Sequence, residues 1–197
     1  MTESPRPAST RAPRMSADEL LAVRPWNYPF WQFVRCAAPA LAAGNTVVLK
    51  HADNVPQCAL AVEAGAPEGL RGTLLIEVER VAGVIADPRI AAVSLTGWPR
   101  AGAAVAARTA ATLKKQVLEL GGSDPFVVLA DADVARAAAT TVASRFVNAG
   151  QSCVNAKRFL GEEPVADEFV AVFVQGAQAL VMGHPARAER TRTVLSG

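Results

Sequence analysis

Apolar positions along this chain come in short aliphatic runs separated by longer stretches of helical rhythm. Thr46–Leu49, Thr73–Val78, Ile90–Leu95, Gln116–Leu120 and Pro125–Leu129 are compact, β-branched or aliphatic, and bounded by Gly, Pro, Asp or Asn, so they predict strands. Phe30, Trp31, Phe33, Val34, Ala37, Ala38 and Leu41 recur at helical spacing until Gly44-Asn45 stops them. Small-residue helices are predicted at Pro56–Ala64, Val81–Ile85 and across the alanine-rich segment 101–113. Asp131 is the expected cap of a helix whose line Val134, Ala138, Val142, Phe146 repeats every four residues. Arg158–Leu160 reads as one more strand, and residues 167–181 as a helix with Phe169, Phe173, Ala177 and Leu180 on one face. Strand and helix alternate throughout, which predicts an α/β fold with a largely parallel sheet.

The two ends lack this pattern. The first twenty residues hold three Pro and three Arg with almost no large apolar side chains, so 1–22 is expected to be a disordered tail. The last fourteen, 184–197, hold three Arg and are expected to be an irregular tail.

Composition narrows the function classes. Of 197 residues 51% are hydrophobic, enough for a sizeable core, and the net charge is only +2 with no Lys/Arg block, which argues against a nucleic-acid partner. No apolar run is long enough to span a bilayer, so no membrane partner is expected. Cys36, Cys58 and Cys153 are odd in number and widely spaced, which suits a reducing, cytoplasmic setting rather than a disulfide framework. His51 and His184 have no companion ligands in the sequence, so no metal site is expected.

Cys153 carries the strongest chemical signal. A free cysteine is most often a small buried hydrophobe, and Cys36 and Cys58 read that way. Cys153 instead follows Gly150-Gln151-Ser152, residues that expose a side chain, and Lys157 and Arg158 stand close enough in sequence to favour a thiolate. Glu119 ends a predicted strand just before Leu120-Gly121-Gly122, where a carboxylate suits general-base work on water, although a surface turn glutamate is the plain alternative. Gly97 and Gly102 bracket Trp98 at a strand-to-helix joint that can present a helix N-terminus to phosphate, or be only a joint. Asn27, between Pro25 and Pro29, offers an amide that can polarise a carbonyl oxygen. Lys50, ending a strand ahead of His51-Ala52-Asp53, can meet ribose or phosphate, or simply be solvated.

Taken in order, Pro25-Trp26-Asn27-Tyr28-Pro29, Gly44-Asn45-Thr46-Val47-Val48-Leu49-Lys50, Leu95-Thr96-Gly97, Leu118-Glu119-Leu120-Gly121-Gly122 and Gly150-Gln151-Ser152-Cys153 resemble the aldehyde dehydrogenase superfamily. Lys50-His51-Ala52 with Asn54-Val55-Pro56, and Gly121-Gly122-Ser123-Asp124-Pro125-Phe126, look like its succinate-semialdehyde dehydrogenase branch. The likeness covers roughly residues 23–183. It implies a partial Rossmann-like cofactor domain at 23–148 and the start of a catalytic domain at 149–183. By the same resemblance Cys153 is the nucleophile, Asn27 an oxyanion donor and Glu119 the base, acting on a small-molecule aldehyde. Trp26, Lys50, His51, Ala52, Asp53, Gly97, Trp98, Gly102 and Leu120 are implied for the cofactor, NAD or NADP, with Asp53 mildly favouring NAD.

Family members are more than twice as long, so the resemblance also implies a chain truncated at both ends, without the C-terminal oligomerisation region and weakly active or inactive. A catalytically dead remnant or interaction module that retains part of the nucleotide-binding sheet is the alternative. A thiol esterase working through Cys153 is a third reading.

Overall fold

The computed structural model describes residues 18–65 and 71–183. These fall into two compact units, one running to Glu119 and the other beginning at Leu120. The expected tail at 184–197, and most of the one at 1–22, lie outside the described residues.

The first unit is built on β1 (Glu19–Arg24), α1 (Pro29–Ala42), β2 (Thr46–His51), α2 (Pro56–Ala64), β3 (Arg71–Thr73), α3 (Val81–Ala86), β4 (Ile90–Thr96), α4 (Pro99–Ala111) and β5 (Lys115–Glu119). Its five strands lie in the order β3-β2-β1-β4-β5, with all four pairings parallel. β1 is central, with Leu21 facing Val48 of β2 and Val93 of β4. Residues 19–22 are therefore strand rather than tail. Leu20-Leu21-Ala22-Val23 is a continuous apolar run between Glu19 and Arg24, the form a strand takes when both of its faces are covered.

Alternation along β1 feeds two cores. Leu21 joins Ile85 of α3, Val93 and Leu95 of β4 and Val105 of α4 on one face. Ala22 joins Phe33 and Ala37 of α1, Val47 and Leu49 of β2 and Ala59 and Val62 of α2 on the other. The chain winds outward from β1 to β3 and then returns to β4, so strand order reverses between β1 and β4. In open parallel sheets, ligands bind outside the strand carboxyl ends at such a reversal.

The strand expected over Thr73–Val78 is shorter and earlier. β3 is an edge strand; after Leu74 donates its N–H to Leu49 the ladder ends, Leu75 turns outward, and Val78–Arg80 form a 3-10 turn.

The second unit holds β6 (Pro125–Val128), α5 (Val134–Arg145), β7 (Arg158–Gly161) and α6 (Glu163–Gln178). β6 and β7 pair in parallel, and Val128, Val134, Ala138, Val165 and Phe169 form the core beneath Phe126, Phe159 and Phe173. The cap of α5 is Asp133, whose carboxylate accepts the Arg136 N–H at 3.0 Å, and not Asp131. Asp133 stands three residues before the orphan N–H it satisfies, the spacing a cap needs. Because β6 and α5 share this core with β7 and α6, the chain divides at Glu119/Leu120 and not at the expected 148/149.

Candidate active site

Glu119 is the last residue of β5, and its carbonyl accepts the Gly97 N–H at 2.9 Å, tying the end of β5 to the turn that leaves β4. Its carboxylate is about half exposed and bonds Arg35 Nη2 at 2.9 Å. Arg35 comes from the middle of α1, on a helix whose buried residues are Gln32, Phe33 and Ala37. Sequence reasoning missed it, because a single arginine on an amphipathic helix reads as solvated surface.

A second guanidinium went unnoticed for a different reason. Arg24, at the carboxyl end of β1, stands two residues past the expected tail, and nothing in its sequence neighbourhood marks it as buried. It is 4% exposed, and it donates to Thr96 Oγ1 at 2.6 Å and to Ser94 Oγ at 2.5 Å, bridging β1 and β4 where the sheet reverses. A cleft of about 440 Å³ opens here, walled by α1 and by β1, β4 and β5, with Arg24, Arg35, Cys36, Thr96 and Glu119 on its surface.

Trp26 and Asn27 sit half-buried in the bend between β1 and α1. His51, which ends β2, fixes that bend from below. Its Nδ1 accepts the Ala52 N–H at 3.0 Å, which leaves Nε2 as the proton-bearing nitrogen facing the Pro29 carbonyl, also at 3.0 Å. Burial, above all, pushes the His51 imidazole below its ordinary pKa; the nearby Lys50 and Arg24 charges act in the same direction. His51 was expected among the cofactor residues, and both its nitrogens are instead engaged with the backbone of its own loop and of α1.

The remaining predicted cofactor residues of this unit gather at strand ends. Lys50 is buried, and its ammonium bonds Asp53 Oδ1 at 2.5 Å. His51, Ala52 and Asp53 form one wall of a crevice of about 200 Å³, with Pro56 and residues 74–77 as the other. Gly97 and Trp98 lead into α4, where Gly102 is buried and its N–H closes the first turn on the Trp98 carbonyl. Trp98 is 76% exposed, so its indole does not fill the crevice. A carboxylate and an ammonium beside a crevice at the carboxyl end of β2, with the N-terminus of α4 following β4 in the same sheet, fit a dinucleotide: hydroxyl-accepting, phosphate-attracting and open.

In the second unit Cys153 follows a distorted loop. Asn148, Ala149 and Gly150 are consecutive left-handed residues, with φ of 51°, 56° and 81°. Two of the three carry side chains, and backbone held in this region is strained unless its surroundings enforce it. Asn155, 2% exposed, enforces it from one side by donating to the Arg145 carbonyl at 2.8 Å and the Val147 carbonyl at 3.4 Å; Arg145 Nη1 donates to the Gly150 carbonyl at 3.3 Å from the other. Lys157 donates to the carbonyls of Cys153, at 3.1 Å, and Gly122, at 2.9 Å, so its ammonium pins the loop to the Gly-Gly segment through main chain. Leu120, at the start of that segment, is 39% exposed. Arg158 points outward in β7. Among the described residues no group of three His, Cys, Asp or Glu is arranged to hold a metal ion, and no helix is long and apolar enough to cross a membrane.

The sequence pattern of the aldehyde dehydrogenase family matches residues 19–194. The chain belongs to the aldehyde dehydrogenase family. Within the family it is 53% identical over 171 residues to a Synechocystis protein named probable succinate-semialdehyde dehydrogenase [NADP(+)], a match covering 84% of this chain and 38% of that protein. It is 51% identical to the Escherichia coli succinate semialdehyde dehydrogenase [NAD(P)+] Sad, covering 84% of this chain and 37% of that one. Among solved structures, the succinic semialdehyde dehydrogenase of Streptococcus pyogenes in complex with NADP+ matches with a TM-score of 0.84 and 39% identity, over 89% of this chain and 40% of that one. The family and branch read from the motifs are thus the ones found. So is the α/β architecture with a parallel sheet flanked by helices. This chain spans well under half the length of each of these relatives.

Proposed function

We propose that this chain carries the coenzyme-binding and nucleophile-bearing portion of an aldehyde dehydrogenase that oxidises a semialdehyde to the acid. The single observation that carries the reading is Glu119, a half-exposed carboxylate held by Arg35 at the end of β5 in a cleft at the sheet reversal. The same chain holds Cys153 after a strained, left-handed loop. In this reading the Cys153 sulfur bonds to the aldehyde carbon, and the Asn27 amide and the Cys153 N–H hold the oxygen that becomes negative. A bound nicotinamide dinucleotide supplies the two-electron acceptor that makes this an oxidation. Glu119 then takes a proton from the water that attacks the resulting thioester, which releases the acid and returns the thiolate. Lys50, Ala52, Asp53, Gly97, Gly102 and Leu120 hold the dinucleotide, with Trp26 beside the oxyanion donor. His51 orders the Trp26-Asn27 loop.

The Lys50–Asp53 ion pair supports a coenzyme reading as well. A carboxylate at this position accepts from a ribose hydroxyl and repels a 2′-phosphate, which favours NAD+, whereas the relatives are named for NADP+ or NAD(P)+. Replacing Asp53 by serine is expected to raise affinity for NADP+ relative to NAD+ at least tenfold, about 1.4 kcal/mol, in equilibrium dialysis. An unchanged ratio removes Asp53 from coenzyme choice.

The 197-residue chain by itself is expected to reduce coenzyme only at a trace rate with succinic semialdehyde. Absorbance at 340 nm tests this. A trace rate abolished by Cys153→Ala supports the reading, and one undiminished by that change removes Cys153 as nucleophile. Turnover in the ordinary enzyme range, roughly 1–1000 per second, overturns the view that this portion is weak alone.

A further inference from the structure

We propose that Cys36 is a site of reversible oxidation, which takes a hydroperoxide in the cleft beside α1 and keeps the transferred oxygen against Arg24. Cys36 is half-buried, lies one turn beyond Gln32 on α1, and lines the cleft with Gln32, Arg24, Ser94 and Thr96. A cysteine in a helix is ordinarily a small hydrophobe. Here its surroundings are polar, and two of them are unfinished. Gln32 is 5% exposed, and its Oε1 has no donor among the described residues; Arg24 is 4% exposed, and its Nε–H has no acceptor among them. Buried polar atoms are almost always paired, so an orphan donor and an orphan acceptor in one cleft call for a partner from outside. Arg24 is also a buried cation whose bonded side chains, Ser94 and Thr96, are neutral hydroxyls. Burial weighs most against its charge, and the Cys36 sulfur beside it weighs most in favour.

A hydroperoxide answers both orphans. Its O–H donates to the Gln32 amide oxygen, and its oxygen lone pairs accept from Arg24. In the reaction the Cys36 sulfur attacks the nearer peroxide oxygen, so that an S–O bond forms as the O–O bond breaks. The sulfur gives up two electrons and becomes sulfenic acid. The departing oxygen takes that electron pair together with the thiol proton, and leaves as water from hydrogen peroxide or as an alcohol from an organic one. Negative charge gathers on that oxygen as the bond breaks, where a fixed guanidinium is most effective. Once formed, the sulfenic oxygen is the acceptor that Arg24 Nε–H lacks. Sulfenic acid is also the oxidation state from which thiols restore the cysteine. No step involves a coenzyme, an aldehyde or Cys153, so the inference stands apart from the function proposed above.

The test treats the 197-residue chain with hydrogen peroxide, traps sulfenic acid with dimedone and follows the tryptic peptides by mass spectrometry. Trypsin cuts after Arg35, Lys50, Arg71, Arg145 and Lys157, so Cys36, Cys58 and Cys153 leave on separate peptides. Cys36 is expected to be labelled at least tenfold faster than Cys58, which is likewise half-buried. Arg24→Lys keeps the charge but loses the planar fork, and Gln32→Leu removes the amide. Each is expected to slow peroxide labelling of Cys36 several-fold while leaving its alkylation by iodoacetamide unchanged, because that reaction transfers no oxygen. Arg108→Ala, which removes an exposed charge from α4, is expected to change neither rate. Labelling of Cys36 no faster than Cys58, indifference to both variants, or a parallel fall in the peroxide and iodoacetamide rates each overturns the proposal. Should neither variant fold, the comparison of Cys36 with Cys58 in the unchanged chain still decides. Cys153→Ala is expected to leave these rates as they are even where it abolishes turnover, so the two proposals fail separately.

Discussion

At the scale of single residues, two side chains carry consequences that solution measurements can read. His51 is buried with both nitrogens committed, Nδ1 as acceptor and Nε2 as donor, an arrangement only the neutral imidazole can make. Its folded pKa therefore lies below 6.5, and the unfolded chain binds the proton more readily. By linkage, its contribution to stability is complete above about pH 6.5 and is lost as pH falls toward the folded pKa. The denaturation midpoint is expected to drop as pH falls below about 6.5, and His51→Gln is expected to flatten that part of the profile. A profile identical in slope for the variant removes His51 as its source. Gly150 stands at φ 81°, and a Cβ there would come within 2.9 Å of Arg145 Nη1. The flexible end of Arg145 can yield, but the left-handed backbone cannot, so Gly150→Ala is expected to cost about 1–2 kcal/mol in urea denaturation. The proposed Cys153 and Glu119 stand out in the sequence because Gly150-Gln151-Ser152 and Gly121-Gly122 beside them are turn-forming residues with no use in a core, and Asn27 because it stands between two prolines. Arg24 and Arg35 do not, because a charge is exposed in most places and only the fold brings these two to one cleft.

At the scale of elements, periodicity located the helices of both units and the strands β2, β4, β5, β6 and β7 to within a few residues, because each is a compact apolar run with a turn residue beyond it. It failed at the two strands whose identity depends on neighbours. β1 abuts an Arg- and Pro-rich segment, and its lack of alternation, the mark of a strand buried on both faces, was masked by that composition. β3 has strand-forming residues through Ile76, yet ladder bonds only as far as Leu74, because the edge strand leaves its single partner there while β2 runs on to His51. The α5 cap is a finer case of the same kind. Asp131 and Asp133 are both acceptable caps by type, and the Asp133 carboxylate is the one that reaches the Arg136 N–H. Asp133→Ala is therefore expected to cost about 1 kcal/mol, with Asp131→Ala near zero, in matched urea titrations. Equal costs would return the cap to Asp131.

At the scale of the whole molecule, the residues proposed for one reaction belong to two separately cored units: Asn27 and Glu119 to the first, Cys153 to the second. The first unit has a core on each face of its sheet, drawn from β1, β2 and β4 and the four helices. The second has one core, in which Phe169 is 3% exposed and stacks with Phe173 at 6.2 Å and tilts against Phe159 at 6.3 Å. Removing that ring leaves a cavity no residue of the first core lines, and truncating a buried phenylalanine costs about 3–5 kcal/mol. A loss of that size is a large share of what a unit this small possesses. Phe169→Ala is thus expected to abolish slow hydrogen exchange in α5, α6, β6 and β7 while β1, β2 and β4 keep theirs, because protection follows the cooperative unit to which an amide belongs. Uniform loss across all seven strands would mean that the two cores fold as one. Selective loss would mean that the strained loop before Cys153 can be disordered without disturbing the Arg24–Arg35–Glu119 cleft, because each rests on its own core.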